Sequence, residues 1–414
     1  MVKVFVILDG VGDRPISKLK GKTPLEKAIT RNLDWFAKRG ENGYCYTINE
    51  KIAPESDEAI WALIGHNPTK EYSGRGPLEC FGRGIKINDG DLCLRVNFAT
   101  AHNWKIVDRR VGRSLTSREA WQLGREVNAK VKLNAPFLFV PTIGHRGILI
   151  IRGDFSGMIS NVDPAYTRKG NLTHAVVHPS FNVTRCRPLD RSKKAKFTAE
   201  LVNDFVEQAR NVLENSKINT KRKRKKLLPA NLILPRDPGV GLPKVKDKMK
   251  GWCAVVAMPL EIGIAKLNGM KVHSFDVPES NKTDPYPQMY QSLAKTIRES
   301  KKVIKEGKFQ NYWIHFKETD LPGHDGRFYD KVKMIEMIDY KFFSFLRKMK
   351  NLDLIVTADH STPCAIKAHS TDPVPVLHYH TNKDDVQKFG ESYCKKGSIG
   401  KLYGKDLLKK LEFV

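Results

Sequence analysis

The chain has 414 residues, 40% of them hydrophobic, and a formal net charge of +27 from 72 Lys and Arg against 45 Asp and Glu. Such a length buries a full core and reads as two domains rather than a small module. No run of 18 apolar residues occurs, and the first apolar stretch is short and lacks a small-residue cleavage site, so no membrane span or signal peptide is readable and a cytoplasmic protein is expected.

In chain order, VKVFVIL (2–8) reads as a buried strand, and Asp9 closes it. A helix is expected over KTPLEKAITRNLDWFAKRG, followed by the loop APESDEAIWALIGHNP, which holds Ser56 ahead of an apolar helix. A serine there is either a nucleophile at a helix amino terminus, where free N–H groups favour phosphate, or, with Asp57, merely an N-cap. From residue 93 to 250 the pattern changes to strand-like pieces such as LCLRVNFAT and RGILIIRG, abundant Arg, and a helix from Phe197 to Leu213 with Leu201, Phe205 and Val212 on one face. Residues 251–414 return to α/β alternation. They contain CAVVAM, a helix with Met289, Leu293, Ile297 and Ile304 on one stripe, the strand YWIHF, a helix over roughly 328–349, the strand DLIVT and a closing Lys-rich helix. Residues 1–92 and 251–414 are therefore expected to share one sheet, with 93–250 inserted as a lid or substrate domain.

The charge is unevenly spread: residues 181–250 hold 19 Lys and Arg against 7 Asp and Glu, or +12. The run KRKRKK (221–226) would bind RNA, act as a sorting signal, or simply be a solvated loop or helix end. Seven cysteines (45, 80, 93, 186, 253, 364, 394) are scattered with no CxxC pair, which argues against a disulfide framework and a thiolate zinc site and for reduced, packed thiols.

The chemistry-bearing residues lie at the two ends of the chain. Asp9 and Ser56 come early; Asp320, His324, Asp359, His360 and His369 come late. Asp9 and Asp359 follow buried strands, the edge at which open α/β sheets place their sites. Asp320 and His324, four apart, share one side of a helical turn or a tight loop at Gly323. Carboxylate oxygen and imidazole nitrogen suit Mn, Zn, Fe, Co or Ni, and an oxygen-rich half-site suits Mg or Mn. A serine beside such ions becomes a nucleophile toward phosphorus, so phosphoryl transfer is the expected reaction.

These residues sit in segments that resemble the archaeal-type 2,3-bisphosphoglycerate-independent phosphoglycerate mutases of the alkaline phosphatase superfamily. The carrying segments are ILDGVGDRP with KTPLEKA, PESDEAIWALIGHNP, YSGRGPLECFGRGI, VNFAT, DRRVGR, HRGILII, VDP, PANLIL, GIAKLNGM, HFKETDLPGHDG and TADHSTPCAIKAHSTDPVPVL. The resemblance implies an α/β, alkaline-phosphatase-like core whose mostly parallel sheet is flanked by helices, plus an inserted α+β substrate domain. It implies two divalent ions, Mn or Mg first and Zn or Co as alternatives, with no 2,3-bisphosphoglycerate. Asp9, Ser56, Asp359 and His360 then match the ligands of one ion, and Asp320, His324 and His369 those of the other. Ser56 matches the phosphorylated nucleophile, and phosphoglycerate is the implied substrate.

Binding a carboxylate and a phosphate calls for planar guanidinium forks, for which Arg110, Arg113, Arg146 and Arg236 are the candidates, with Asn97 as a hydroxyl partner. The chain departs from the family pattern at Glu55, where Gly is expected, and at Ile262, where a Lys is usual. PRDPG (235–239) and ESNKTDPY (279–286) also differ, and Lys317 or Lys282 could supply the displaced charge. These departures keep open a metal-dependent phosphomonoesterase or phosphotransferase acting on another small phosphorylated acid, or a diverged RNA-binding homologue.

Overall fold

A computed structural model describes all residues except 171, 177–179, 246–247 and 279–283, and the side chains of Lys169 and Ala175 are also left out. Lys282 and part of the 279–286 segment therefore lie outside the described residues. The chain divides into two compact units: residues 1–71, 245–277 and 289–414, and residues 72–244 with 278–288. The early cut thus falls at Glu71 rather than after residue 92, because the helix Arg75–Gly82 belongs with the second unit.

The first unit is built on an eight-stranded sheet: β1 (Val2–Leu8), β2 (Glu41–Tyr46), β3 (Trp252–Val255), β4 (Lys271–His273), β5 (Asn311–Phe316), β6 (Leu352–Thr357), β7 (Val374–Tyr379) and β8 (Gly400–Tyr403). Their spatial order is β4-β3-β5-β1-β6-β7-β2-β8, and only β7 runs against its neighbours. The central strands β1, β5 and β6 are buried along nearly their whole length, as expected of parallel strands covered on both faces. Register fixes the site. Leu8 pairs with Phe316 and Ile7 with Thr357, so the residues that follow, Asp9, Lys317 and Asp359, emerge together at one sheet edge.

Two expected helices are modified. The segment 22–40 folds as two short helices, Pro24–Lys27 and Arg31–Ala37. Thr23 and Glu26 form a capping box on the first, and Asp339 caps the second by accepting from the backbone N–H of Asn32 and Leu33. The helix expected over 328–349 begins at Phe328 and carries a π-helical turn at Asp339–Phe343, where that capping carboxylate sits.

In the second unit Leu92–His102 pairs antiparallel with Arg146–Ile151 and Leu232–Val240, and Phe137–Pro141 extends the sheet. Alternation divides the faces. Leu92, Leu94, Val96, Phe98, Leu149 and Ile151 join a core with Leu123 and Val127 of the helix Ser117–Lys130 and Val202, Phe205 and Leu213 of the helix Lys193–Glu214. The opposite face carries Cys93, Ile148 and Ile150, packed with Cys80, and the polar residues Arg95, Asn97, Arg146 and Arg236. Thr116 caps the helix Ser117–Lys130 by accepting from Glu119 N–H at 3.2 Å, in a reciprocal capping box. Thr116→Ala should lower the stability of this unit by about 1 kcal/mol in denaturant unfolding. All seven cysteines are free and buried, as the scattered spacing predicts. No helix among the described residues is long and apolar enough to cross a membrane.

Candidate metal centre

All seven predicted ligands meet in the first unit. Ser56 opens the helix Ser56–Leu63 as its first residue, so the N-cap is Glu55 and the alternative of Ser56 as a mere cap does not hold. Its Oγ lies 3.2 Å from His360 Nε2, which is itself 3.4 Å from Asp9 Oδ1 and 3.4 Å from Asp359 Oδ2. The second set adjoins the first: His369 stacks on His360 with ring centroids 3.6 Å apart, and Asp320 approaches His324 Nε2 at 3.3 Å and His369 Nε2 at 3.7 Å. Asp320 and His324 share the short helix Asp320–Asp325, one turn apart as their spacing predicts. The ligand atoms of Asp320, His324 and His369 lie within 4.8 Å of one another, as do those of Asp9, Asp320 and His360.

The surrounding residues aim these groups. Asp359 Oδ1 accepts from the backbone N–H of Gly10 and His360, and Thr362 donates its hydroxyl to Asp320 Oδ1 at 2.7 Å. Gly10 adopts φ 60°, and a Cβ there would lie 2.5 Å from Asp320 Oδ1, so only glycine lets the Asp9 strand end come this close. Each imidazole is anchored at Nδ1: His324 by Lys367 O at 3.2 Å, His369 by Pro54 O at 2.8 Å, and His360 by Thr362 Oγ1 at 3.0 Å. With Nδ1–H donated to a carbonyl in His324 and His369, both Nε2 atoms present lone pairs, yet they lie only 3.2 Å apart. Two facing lone pairs at that distance repel unless a positive charge lies between them, and this donor set therefore fits a divalent cation.

The electrostatics agree. Burial would raise Asp320, but His324, His369 and His360 hold its carboxyl well below the usual range. Burial and the facing Asp9 carboxylate push Asp359 well above it, and burial with His369 pushes His360 well below an ordinary imidazole. A cation would ionise the first and suit the neutral second.

Glu55 and Lys317 both find places beside the cluster. Glu55, in the position expected for Gly, puts Oε1 3.5 Å from His369 Nδ1, behind the ring, where a carboxylate raises ligand basicity. Lys317 Nζ bridges Asp9 Oδ2 at 2.7 Å and Glu261 Oε1 at 3.1 Å. Burial opposes its charge, but Asp9, Glu261 and Asp359 raise its pKa and keep it protonated. Sequence reasoning missed Glu261 and His315, which complete this cluster: His315 lies 3.5 Å from both Asp9 and Glu261. The alternation of the strand Asn311–Phe316 offered a signal, since it points His315 and Lys317 to the same side.

The five substrate candidates lie in the second unit. Asn97 stands opposite Arg146 and Arg95 opposite Arg236 on one sheet face. Burial depresses Arg110, and the nearby Arg113, Arg109 and Arg236 add to it. Burial and the neighbouring guanidiniums bring Arg146 down to about 10 and Arg95 to about 9, while Glu79, which burial would raise, is held at about 2 chiefly by Arg95 and Arg75. Oδ1 of Asn97 and Nε and Nη1 of Arg236 are buried without a hydrogen-bond partner among the described residues. Crowded guanidiniums with unmet donors would be relieved by an anion. Arg75, Arg95 and Tyr166, whose ring lies 3.7 Å beneath the Arg236 guanidinium, belong to this face and were not anticipated.

Comparison with known proteins adds a separate line. Residues 37–219 match a family model described as 2,3-bisphosphoglycerate-independent phosphoglycerate mutase. The chain is 36% identical over 421 residues to the protein of that name from Aeropyrum pernix, covering 97% of this chain and 96% of that one. Among solved structures it resembles the PH0037 protein from Pyrococcus horikoshii, with a TM-score of 0.77 and 26% identity over 100% of this chain and 98% of that one. It also resembles the cofactor-independent phosphoglycerate mutase from Thermoplasma acidophilum, with a TM-score of 0.58 and 28% identity over 99% and 98% of the two chains.

Proposed function

The chain belongs to the 2,3-bisphosphoglycerate-independent phosphoglycerate mutases, and from that premise we propose that it interconverts 3-phosphoglycerate and 2-phosphoglycerate through a phosphoserine at Ser56. The single observation that carries this reading is the Ser56 hydroxyl, 3.2 Å from His360 Nε2 at the edge of the carboxylate–imidazole cluster. Two divalent cations, Mn or Mg first and Zn or Co as alternatives, would be held by Asp9, Ser56, Asp359 and His360 and by Asp320, His324 and His369. When bound, such ions lower the pKa of a hydroxyl and neutralise phosphoryl oxygens.

The chain's own residues carry the transfer. Ser56 Oγ attacks phosphorus, its bond to phosphorus forms as the bond from the substrate's 3-oxygen breaks, and the serine proton passes to the departing glycerate oxygen. The glycerate reorients, its 2-hydroxyl attacks the phosphoserine, and Ser56 recovers its proton. Arg110, Arg113, Arg146 and Arg236 supply guanidinium forks for the carboxylate and phosphate, with Asn97 for a hydroxyl. Lys317 provides the ammonium that Ile262 does not. Water must be kept from the phosphoserine, or the same chemistry ends in hydrolysis.

Supplying 3-phosphoglycerate and a panel of other phosphoesters to the Mn-loaded enzyme tests the reading. The expected result is 2-phosphoglycerate from the first with little free phosphate, and slow or no turnover of the rest. Phosphate released faster than isomer would favour a phosphomonoesterase instead.

A further inference from the structure

The run Lys221–Lys226 takes no part in that chemistry, yet it is built into a specific surface of the second unit. KRKRKK closes the helix Lys217–Arg224, which agrees with a helix end rather than a loop. Arg222 is turned inward, donating to Glu119 Oε2 at 2.8 Å, Ser114 Oγ at 2.7 Å and Leu228 O at 2.9 Å. That anchor leaves Lys221, Lys223, Arg224, Lys225 and Lys226 displayed outward and exposed. Between Glu214 and Asp237 the sequence contains no acidic residue.

Beside them lies a hollow of about 430 Å³ whose lining includes His102, Asn103, Val107, Arg210, Glu214 and Lys223. Arg210 donates through Nε to Glu214 at 2.8 Å, while its Nη1 is buried with no hydrogen-bond partner among the described residues. Over its guanidinium, 4.2 Å from the ring centroid, stands Trp104. Trp104 is 42% exposed and sits at the tip of the hairpin that pairs His102 with Lys105, at φ 62°. A bulky aromatic residue rarely takes a left-handed turn position, where Asn or Gly is the ordinary choice. The neighbouring strand edge adds Phe181, 74% exposed and held by the Ile106 N–H to Phe181 O bond, and Val107, also exposed.

Exposed rings beside exposed cations, next to a concave site with a guanidinium donor unmet among the described residues, match the demands of one class of ligand. A duplex offers phosphates but keeps its bases stacked away, leaving Trp104 and Phe181 without a role. A single strand offers both phosphates and bare base faces. We propose that this surface, from the Trp104 hairpin across Arg210 to Lys221–Lys226, binds single-stranded nucleic acid, with the rings stacking bases and the helix end tracking phosphates. This second binding function is independent of the mutase reading.

The test is fluorescence anisotropy with the full chain and a labelled single-stranded oligouridylate, repeated with the matching DNA and with a duplex of equal length. Five phosphate contacts predict affinity falling roughly 100-fold between 50 and 200 mM salt. Replacing Lys221, Lys223, Arg224, Lys225 and Lys226 by Gln should flatten that dependence. Trp104→Ala should weaken binding roughly 5- to 150-fold with the salt slope unchanged, and Trp104→Phe should restore most of it. Unchanged denaturant-unfolding midpoints in each variant show that the fold survives. The proposal is overturned if the wild-type chain does not bind at 50 mM salt, if Trp104→Ala binds like wild type, or if the duplex competes as well as the single strand. Either of the last two would reduce the effect to bulk attraction between a basic protein and a polyanion.

Discussion

Ser56→Ala should lower isomerisation by about 1000-fold or more while leaving the fold intact, since removing a nucleophile that acts as one unit with its neighbours abolishes nearly the whole of their contribution. Among the described residues, the neighbouring hydroxyls are already engaged. Thr362 Oγ1 is committed to Asp320 and His360, and Thr319 donates to the Asp9 carbonyl. Alanine at the first position of the helix Ser56–Leu63 keeps backbone geometry and helix propensity, so unfolding midpoints should move by well under the amount that a core substitution would cause. Two measurements accompany the rate. Acid-quenched wild-type enzyme exposed to 3-phosphoglycerate should carry a phosphoryl group on the peptide containing Ser56, and the variant should not. Mn binding should persist in the variant, because Asp9, Asp359, His360 and the Asp320 set remain. Turnover within tenfold of wild type would eliminate serine as the phosphoryl carrier.

The gathering of the carboxylates and imidazoles was legible because they follow strands: hydrophobic runs announce β1, β5 and β6, and parallel register then carries Asp9, Asp359 and the 320s loop to one edge. The Asp320–His324 spacing needed only one helical turn. Alternation set His315 on the side of Lys317, but Glu261 was not legible as a partner, since it becomes a neighbour of this group only through the sheet order β3-β5-β1, which no local pattern encodes. The arginine face was half legible. Alternation along LCLRVNF places Arg95 on the side of Asn97, so naming one implied the other, but the pairing of Arg95 with Arg236 depends on a bulged register that sequence does not reveal. The segment 22–40 read as one helix because its apolar spacing continues across Ala28–Thr30. The break is imposed from outside, by Glu336 and Asp339 accepting from the N–H groups of Ile29 and Asn32.

Lys331 is the residue whose importance the sequence hid most completely, and Lys331→Met should destabilise the first unit by about 3–5 kcal/mol. On an amphipathic helix a lysine ordinarily marks the solvent face, yet on Phe328–Ile338 this one is wholly buried. Its Nζ donates to Asp13 Oδ2 at 2.9 Å, Thr362 O at 3.0 Å and Gly12 O at 3.2 Å, using all three ammonium protons. Asp13 in turn accepts from the backbone N–H of Arg14 and Cys364. One ammonium thus ties the loop after Asp9 to the loop after His360, and these loops directly follow the proposed ligands Asp9, Asp359 and His360. Methionine nearly preserves the volume but removes the cation facing the buried Asp13 carboxylate and the ammonium donor to the Thr362 carbonyl, while Gly12 O keeps the Thr362 N–H at 2.9 Å and Asp13 keeps its backbone donors. The penalty is that of an uncompensated charge rather than of a lost attraction, and this distinction can be tested. Adding Asp13→Asn to Lys331→Met removes the stranded charge and should recover a substantial part of the loss, so the double variant should be more stable than the sum of the singles predicts. Denaturant unfolding of the four proteins completes the cycle, with isomerase activity at low and high Mn alongside it. If the loops are held as described, Lys331→Met should also need more Mn for half-maximal activity. A loss below about 1 kcal/mol, or strict additivity of the two substitutions, would show that the pair behaves like a surface salt bridge and does not brace the metal centre.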